Sequence, residues 1–317
     1  MSVTRDALIG FAIGDAMGVP VEFQKRDLLL EHPVTKMYGH GSYDVPEGTW
    51  SDDTSMTIAT MDSIIQKNGE LDYNDIADRF INWVLNAEYT ATNEVFDIGN
   101  TTRKAIVKYS NDRTDATLCG SKEENENGNG SLMRMLPIAL YCHYKRVEYD
   151  EIYTIVKKAS SITHAHPISI LGCYIYVRYL MFILSGKDKY AAYNMIKAID
   201  YEEMFSEDTI SFYNRLLNDD IKNYKINDIK STGFVRDSIE SALWVTLKSN
   251  NFQEAIIGSV NLGGDTDTIG AITGSIAGIL YGMDTFPPQW LNKLKKQELL
   301  EEIAIGFEKA LKINIEE

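Results

Sequence analysis

Two stretches far apart in the chain set paired carboxylates among hydroxyls at the mouth of an apolar run. "GTWSDDTSMTIAT" occupies residues 48–60, and "VNLGGDTDTIGAITGSIAGILYG" occupies 260–282. Both read as helix starts, where one aspartate can accept hydrogen bonds from free N–H groups and complement the positive end of the helix dipole. One carboxylate per helix meets that need. A second adds like-charge repulsion that a cation or a proton must relieve, so two matched clusters point past capping to a metal. The donors are hard oxygens, suited to Mg²⁺, Mn²⁺ or Ca²⁺; a zinc site would want histidine or cysteine, and neither cluster has one. The spacing is not that of a calcium-binding EF-hand loop. Two such clusters could hold a pair of Mg²⁺ or Mn²⁺ ions about 3.5 to 4 Å apart, which implies hydrolysis or group transfer on an oxygen-rich substrate. By residue chemistry alone, a dinuclear phosphohydrolase acting on a nucleotide fits.

Three further stretches carry reactive or ligand-binding groups. "ENENGNGSLMRMLPIAL" places Gly128, Asn129, Gly130 and Ser131 before a predicted helix. Backbone N–H groups at such a start can cradle a phosphate, although a plain glycine-rich helix start is the simpler reading. The stretch is neither a Walker A loop nor a dinucleotide fingerprint. Arg134, on the apolar helix that follows, suits a diphosphate or a carboxylate partner. "VFDIGNTTR" sets Asp97 near another predicted helix start, as an N-cap or as a general base beside the metals. "SSITHAHPISI" brings His164 and His166 together at i, i+2, which is not the i, i+4 spacing of a zinc pair on one helix face.

Helices must position these groups. Apolar residues recur at helical spacing, as in Ile76, Phe80, Ile81, Val84 and Leu85, or Ile152, Ile155, Val156 and Ala159. Strand patterns are scarce. The expectation is an all-α array of ten or more helices in a single domain over 1–317. Residues 34–45 should form a loop or short hairpin, and the polar stretch 200–231 an insertion within the domain. Glycine recurs every fourth residue at Gly10, Gly14 and Gly18 and again at Gly270, Gly274, Gly278 and Gly282. Each interior glycine costs about 1 kcal/mol against alanine, which close helix packing would offset.

Composition narrows the class. The 317 residues are 44% apolar and 24% charged, as in a folded globular chain. A net charge of −15 argues against a general nucleic-acid or anionic-membrane surface. Cys119, Cys142 and Cys173 form no close pair, so neither a disulfide framework nor a zinc knuckle is expected. The N-terminal stretch lacks a charged leader and cleavage site, and no uninterrupted apolar run reaches eighteen residues; the expectation is a cytoplasmic protein with no membrane span.

Taken in order, "GFAIGDAMGVPVEF", "GTWSDDTSM", "FDIGNTTR", "GNGSLMRMLPIAL", "SSITHAHP" and "NLGGDTDTIGAITGSIAG" resemble the ADP-ribosylglycohydrolase family. The resemblance spans residues 10–282 and implies an all-helical enzyme with two divalent ions, Mg²⁺ or Mn²⁺. Matched motif by motif, it implies Ser51, Asp52, Asp53, Asp265, Asp267 and Thr268 as metal ligands. Ser51 stands where family members commonly carry threonine, and the hydroxyl is kept. Glu22 would lie beside the metals and Asp97 would act as the acid or base. The loop Gly128, Asn129, Gly130 and Ser131 would hold the diphosphate of ADP-ribose, with Met133 and Arg134 also on the substrate and His164 and Asn100 lining the ribose pocket. The "DIG" and "SLMRMLP" stretches are similar to the bacterial branch acting on ADP-ribosyl-arginine. The implied reaction is hydrolysis of that N-glycosidic bond in a modified protein, releasing ADP-ribose. Rival substrates are ADP-ribosyl-serine, O-acetyl-ADP-ribose and an ADP-ribosylated nucleobase. The rival of another class is a non-catalytic ADP-ribose-binding relative, against which the four crowded aspartates speak.

Overall fold

The two glycine-spaced segments pack on each other. The computed structural model describes residues 2–312; Met1 and 313–317, the ends of the expected single domain, lie outside them. The first glycine segment forms α1 (Val3–Gly18). A Cβ added to Gly10, Gly14 or Gly18 would overlap the backbone of Gly274, Gly270 or Thr266. These pairs step in opposite directions, so the second segment, which becomes α14 (Thr266–Tyr281), runs antiparallel to α1. Backbone contact over this ridge offsets the propensity cost of the glycines. The antiparallel register also sets the C-terminal end of α1 beside the N-terminal end of α14. There Thr266 Oγ1 donates to the Gly18 carbonyl at 2.8 Å.

Between them come α2 (Arg26–Glu31), α3 (Asp52–Gln66), α4 (Tyr73–Asn86), α5 (Asn100–Asp112), α6 (Leu136–Tyr144) and α7 (Tyr149–Ser161). Next are α8 (Pro167–Leu184), α9 (Lys189–Lys197), α10 (Glu207–Ser211), α11 (Asn214–Leu217), α12 (Val235–Lys248) and α13 (Phe252–Val260). After α14 follow α15 (Pro288–Leu291) and α16 (Gln297–Ala310). Among the described residues there is no strand, only two isolated bridges, Ser121 to His164 and Gly128 to Phe234. The all-α expectation therefore holds.

One large core joins apolar residues of α1, α3, α6, α8, α12, α13, α14 and α16. A smaller one joins Met56 and Ala59 of α3 to Phe80 and Trp83 of α4 and Ala105 and Ile106 of α5. The α8 helix is long and apolar enough to cross a membrane by composition, and 78% of it is buried within the fold. Residues 34–45 form no hairpin; they make an irregular loop with a tight turn, in which the His40 N–H donates to the Val45 carbonyl at 2.8 Å. The polar stretch 200–231 carries α10, α11 and two 3₁₀ turns, and its Tyr213, Leu216, Leu217, Ile221 and Ile229 enter the large core.

Candidate active site

The glycine register carries Glu22 to the second acidic cluster. After α1 one 3₁₀ turn, Val19–Val21, brings the chain round to Glu22. The next amide, Phe23 N–H, donates to the Gly264 carbonyl at 2.7 Å, and Gly264 N–H returns a bond to the Gln24 carbonyl at 2.9 Å. Gly263 and Gly264 both have left-handed backbones, with φ of 71° and 76°, which other residues adopt at a cost. The Asp265 N–H then bonds the Ser231 carbonyl at 2.9 Å. Thus pinned, Glu22, Asp265 and Asp267 bring carboxylate oxygens within 4.8 Å of one another. Arg26 locks this corner from behind, donating to the carbonyls of Leu262 (2.7 Å), Ile229 (2.7 Å) and Ile226.

The first cluster starts α3, and a residue not singled out from sequence caps it. Asp15 of α1, fully buried, accepts from Ser51 N–H at 2.9 Å, Thr54 N–H at 3.0 Å and Thr54 Oγ1 at 2.6 Å. The helix start is thereby satisfied from another helix, which leaves Asp52 and Asp53 free for other partners. Ser51 is the N-cap by position, and its hydroxyl accepts a long 3.3 Å bond from Asp53 N–H. Ser51 Oγ and Thr268 Oγ1 each lie 3.3 Å from Asp53 Oδ2, so the two clusters touch. From Ala7 to Met17 the α1 sequence is apolar or glycine except for Asp15, and that isolated charge was the sequence signal for it.

A cavity of about 260 Å³ opens over these groups. Its lining joins Glu22, Asp52, Asp53, Asp265 and Thr268 to Asp97, Asn100, Gly128, Asn129, Gly130, Met133 and His164. Phe23, Gly99, Thr101, Thr102 and Gly233 complete it and were not anticipated from sequence. Asp267 and Ser51 are buried off the lining, Asp267 beside Glu22 and Asp265 and Ser51 beside Asp53. Two expectations change. Ser131 is fully buried, and its hydroxyl sits 2.9 Å from Ser160 Oγ and 3.3 Å from Cys173 Sγ, turned away from the cavity. Arg134 is also buried, bonds Thr163 Oγ1 at 2.9 Å and lies over the Phe80 ring; among the described residues it has neither a carboxylate partner nor access to the cavity.

The glycine loop also differs from the expected helix start. Residues Leu132–Arg134 make one 3₁₀ turn and α6 begins only at Leu136. The Asn129 N–H is engaged by the Gly233 carbonyl at 3.0 Å, so it is not free for a phosphate. Asn129 Nδ2 instead donates to Asp265 Oδ2 at 2.8 Å and Ser238 Oγ at 2.9 Å, orienting an acidic residue. Gly130 is required because a Cβ there would lie 2.7 Å from Thr102 Oγ1 and 2.9 Å from His164 Cε1. The two histidines part company: His164 faces the cavity, whereas His166 caps α8 by accepting from Ile168 N–H at 3.3 Å.

Asp97 does not cap α5; Gly99 occupies the N-cap position and Asp97 precedes it in a left-handed backbone with φ of 54°. Its neighbour Phe96 packs on Tyr43, ring centroids 5.0 Å apart. The Tyr43 hydroxyl faces both Asp97 and Glu22, and these carboxylates, after burial, push its pKa up. Tyr43 thus joins the loop before α3 to the segment before α5.

Electrostatics make the cluster a cation trap. Burial first, then neighbouring carboxylates, raises Glu22 to about 9. Burial raises Asp15 to about 6 against the pull of its hydrogen bonds. Burial and mutual repulsion hold Asp52, Asp53 and Asp267 well above the carboxylate range. Asp265 is raised by burial, with Asn129 foremost among the groups opposing it. Glu22 Oε2, Asp53 Oδ1, Asp265 Oδ1 and Asp267 Oδ2 are buried without a hydrogen-bond partner among the described residues. Unpaired buried oxygens of this kind are costly unless protonated or bound to a cation, and an all-oxygen set fits a hard divalent ion.

Comparison with known proteins agrees with this geometry. The sequence model of the ADP-ribosylglycohydrolase family matches residues 2–314. The chain is 34% identical over 303 residues to ADP-ribosylarginine hydrolase Tri1 of Serratia proteamaculans, covering 95% of this chain and 77% of that protein. It is 31% identical to ADP-ribosyl-[dinitrogen reductase] glycohydrolase of Rhodospirillum rubrum, covering 91% and 88%. A solved structure described as an ADP-ribosylglycohydrolase-related protein complex superposes with a TM-score of 0.79 at 27% identity, over 98% of both chains.

Proposed function

The chain belongs to the ADP-ribosylglycohydrolase family, and on that premise we propose that it hydrolyses the N-glycosidic bond between ADP-ribose and an arginine side chain of a modified protein. The observation that carries the reading is the meeting of Glu22, Asp265 and Asp267 at a cavity lined also by Asp52 and Asp53. The name of the Serratia relative, an ADP-ribosylarginine hydrolase, supports arginine as the linkage.

Two groups of oxygens suit a pair of ions, Ser51, Asp52 and Asp53 from the first cluster and Asp265, Asp267 and Thr268 from the second, with Glu22 beside them. A hard divalent ion held there, Mg²⁺ or Mn²⁺, would supply positive charge beside the ribose and make water more acidic. Breaking the bond at the anomeric carbon develops positive charge on the ribose, which the surrounding carboxylates stabilise. Glu22 and Asp97 both reach the cavity and divide two tasks, taking a proton from the attacking water and giving one to the departing guanidine. Asn129 holds Asp265 in place, and Asn100, Met133 and His164 line the substrate wall. Three buried unpaired cysteines, Cys119, Cys142 and Cys173, support a reducing cytoplasm as the site of action.

The test is product analysis with arginine-linked and serine-linked ADP-ribosyl conjugates, with and without Mg²⁺ or Mn²⁺. Free ADP-ribose from the arginine conjugate, dependent on the ion, is expected. Release from the serine conjugate alone would overturn the linkage. AMP or inorganic phosphate as product would mean attack at phosphorus, and binding without turnover would mean a non-catalytic relative.

A further inference from the structure

Arg134 is a cation enclosed in the core without a carboxylate, and it serves something other than charge pairing. Its guanidinium lies 5.1 Å from the Phe80 ring centroid, its Nε has no partner among the described residues, and burial pulls its pKa down to about 10. Its one hydrogen bond among the described residues is from Nη2 to Thr163 Oγ1, at 2.9 Å. Thr163 is fully buried, and the same Oγ1 lies 2.9 Å from His164 Nδ1. The opposite edge of the His164 ring borders the glycine loop, since a Cβ on Gly128 or Gly130 would lie 3.7 or 3.6 Å from Nε2.

A guanidinium only donates, so Thr163 Oγ1 must accept from Arg134. The threonine has one proton of its own, and among the described residues His164 Nδ1 is the acceptor within its reach. Were Nδ1 protonated instead, the threonine would accept twice and its own buried O–H would be left unmet, at a cost. We propose that Thr163, held by Arg134, is a positioning residue that keeps His164 as the neutral Nε2–H tautomer, with that N–H offered to an oxygen of ADP-ribose at the Gly128–Gly130 loop. Burial of the ring and the charge of Arg134, against a smaller opposing pull from Glu126, likewise disfavour the doubly protonated form. The identity of the oxygen partner rests on the proposed function; the tautomer does not.

The experiment is a long-range proton–nitrogen correlation on the full-length protein labelled with ¹⁵N-histidine, with His164→Gln used to assign the resonance among the five histidines. His164 is expected to show a protonated Nε2 and a bare Nδ1 at neutral pH. Thr163→Val should lose that preference and weaken ADP-ribose about tenfold in calorimetric titration with Mg²⁺ present, the worth of one hydrogen bond. Thr163→Ser should retain both properties. A protonated Nδ1 in the unaltered protein overturns the proposal whether or not the arginine conjugate is hydrolysed, so its failure is separate from that of the function. An unchanged tautomer and unchanged ADP-ribose affinity in Thr163→Val overturn it as well.

Discussion

Thr268 Oγ1 lies 3.3 Å from Asp53 Oδ2, a contact across 215 positions of sequence that brings the two acidic helix starts together. Asp53 Oδ1, the other oxygen of that carboxylate, is buried with no partner among the described residues. Asp53→Asn keeps the shape and removes the charge. Turnover should fall more than about 100-fold, beyond what loss of an outer supporting group costs, and the melting temperature in chelator should hold or rise because repulsion is relieved. A clear drop in melting temperature in chelator would give Asp53 a structural role instead.

Asp15 satisfies three donors of α3. In Asp15→Ala those buried donors lose their acceptor, and unfolding in urea should show a loss of about 3 kcal/mol. Activity should fall as well, since the helix start that carries Asp52 and Asp53 is no longer held. A variant as stable as the parent would mean that water replaces the cap.

Chelator-treated protein should become less stable as pH rises. Folding raises Asp15 from 3.8 to about 6 and Glu22 from 4.5 to about 9. The folded state therefore keeps protons that the unfolded chain releases. Stability from these groups is complete below their ordinary values and is lost as pH climbs through the raised ones. Calorimetry between pH about 5 and about 8.5 should show a falling melting temperature without metal, and Mn²⁺ or Mg²⁺ should restore more at the upper end. A melting temperature that climbs with pH in chelator would contradict the charge arrangement.

Gly14→Ala would place a methyl group on the Gly270 carbonyl. The two backbones must separate, with an expected loss of about 3 kcal/mol in urea unfolding. Metal affinity should weaken too, because the same register sets Glu22 against Asp265. Calorimetric titration of Mn²⁺ checks the second effect, and unaltered affinity would uncouple the glycine ridge from the site.

Tyr43→Phe preserves the ring that packs on Phe96 and deletes the hydroxyl facing Asp97 and Glu22. A kcat about tenfold lower at unchanged melting temperature is expected, the effect of losing one polar group beside an acid–base pair. If kcat does not move, the ring contact alone orients Asp97.

The helical class and the metal-suited chemistry were legible in the residues themselves, because apolar periodicity reports one buried face per helix and paired carboxylates carry a repulsion that capping does not require. Asp52, Asp53, Asp265 and Asp267 could be named on those grounds, and glycine every fourth residue announced a close backbone approach. What the ridge approached was a different matter: that it was the other glycine helix, antiparallel and in the register that brings Glu22 to Asp265, depends on contacts between residues more than two hundred positions apart. Burial likewise belongs to the assembled fold, which turns Ser131 and Arg134 inward and recruits Asp15 and Tyr43, whose partners lie in other segments that the local sequence does not name. Local pattern records what each segment can do; only packing determines which groups face one another and which lose their water.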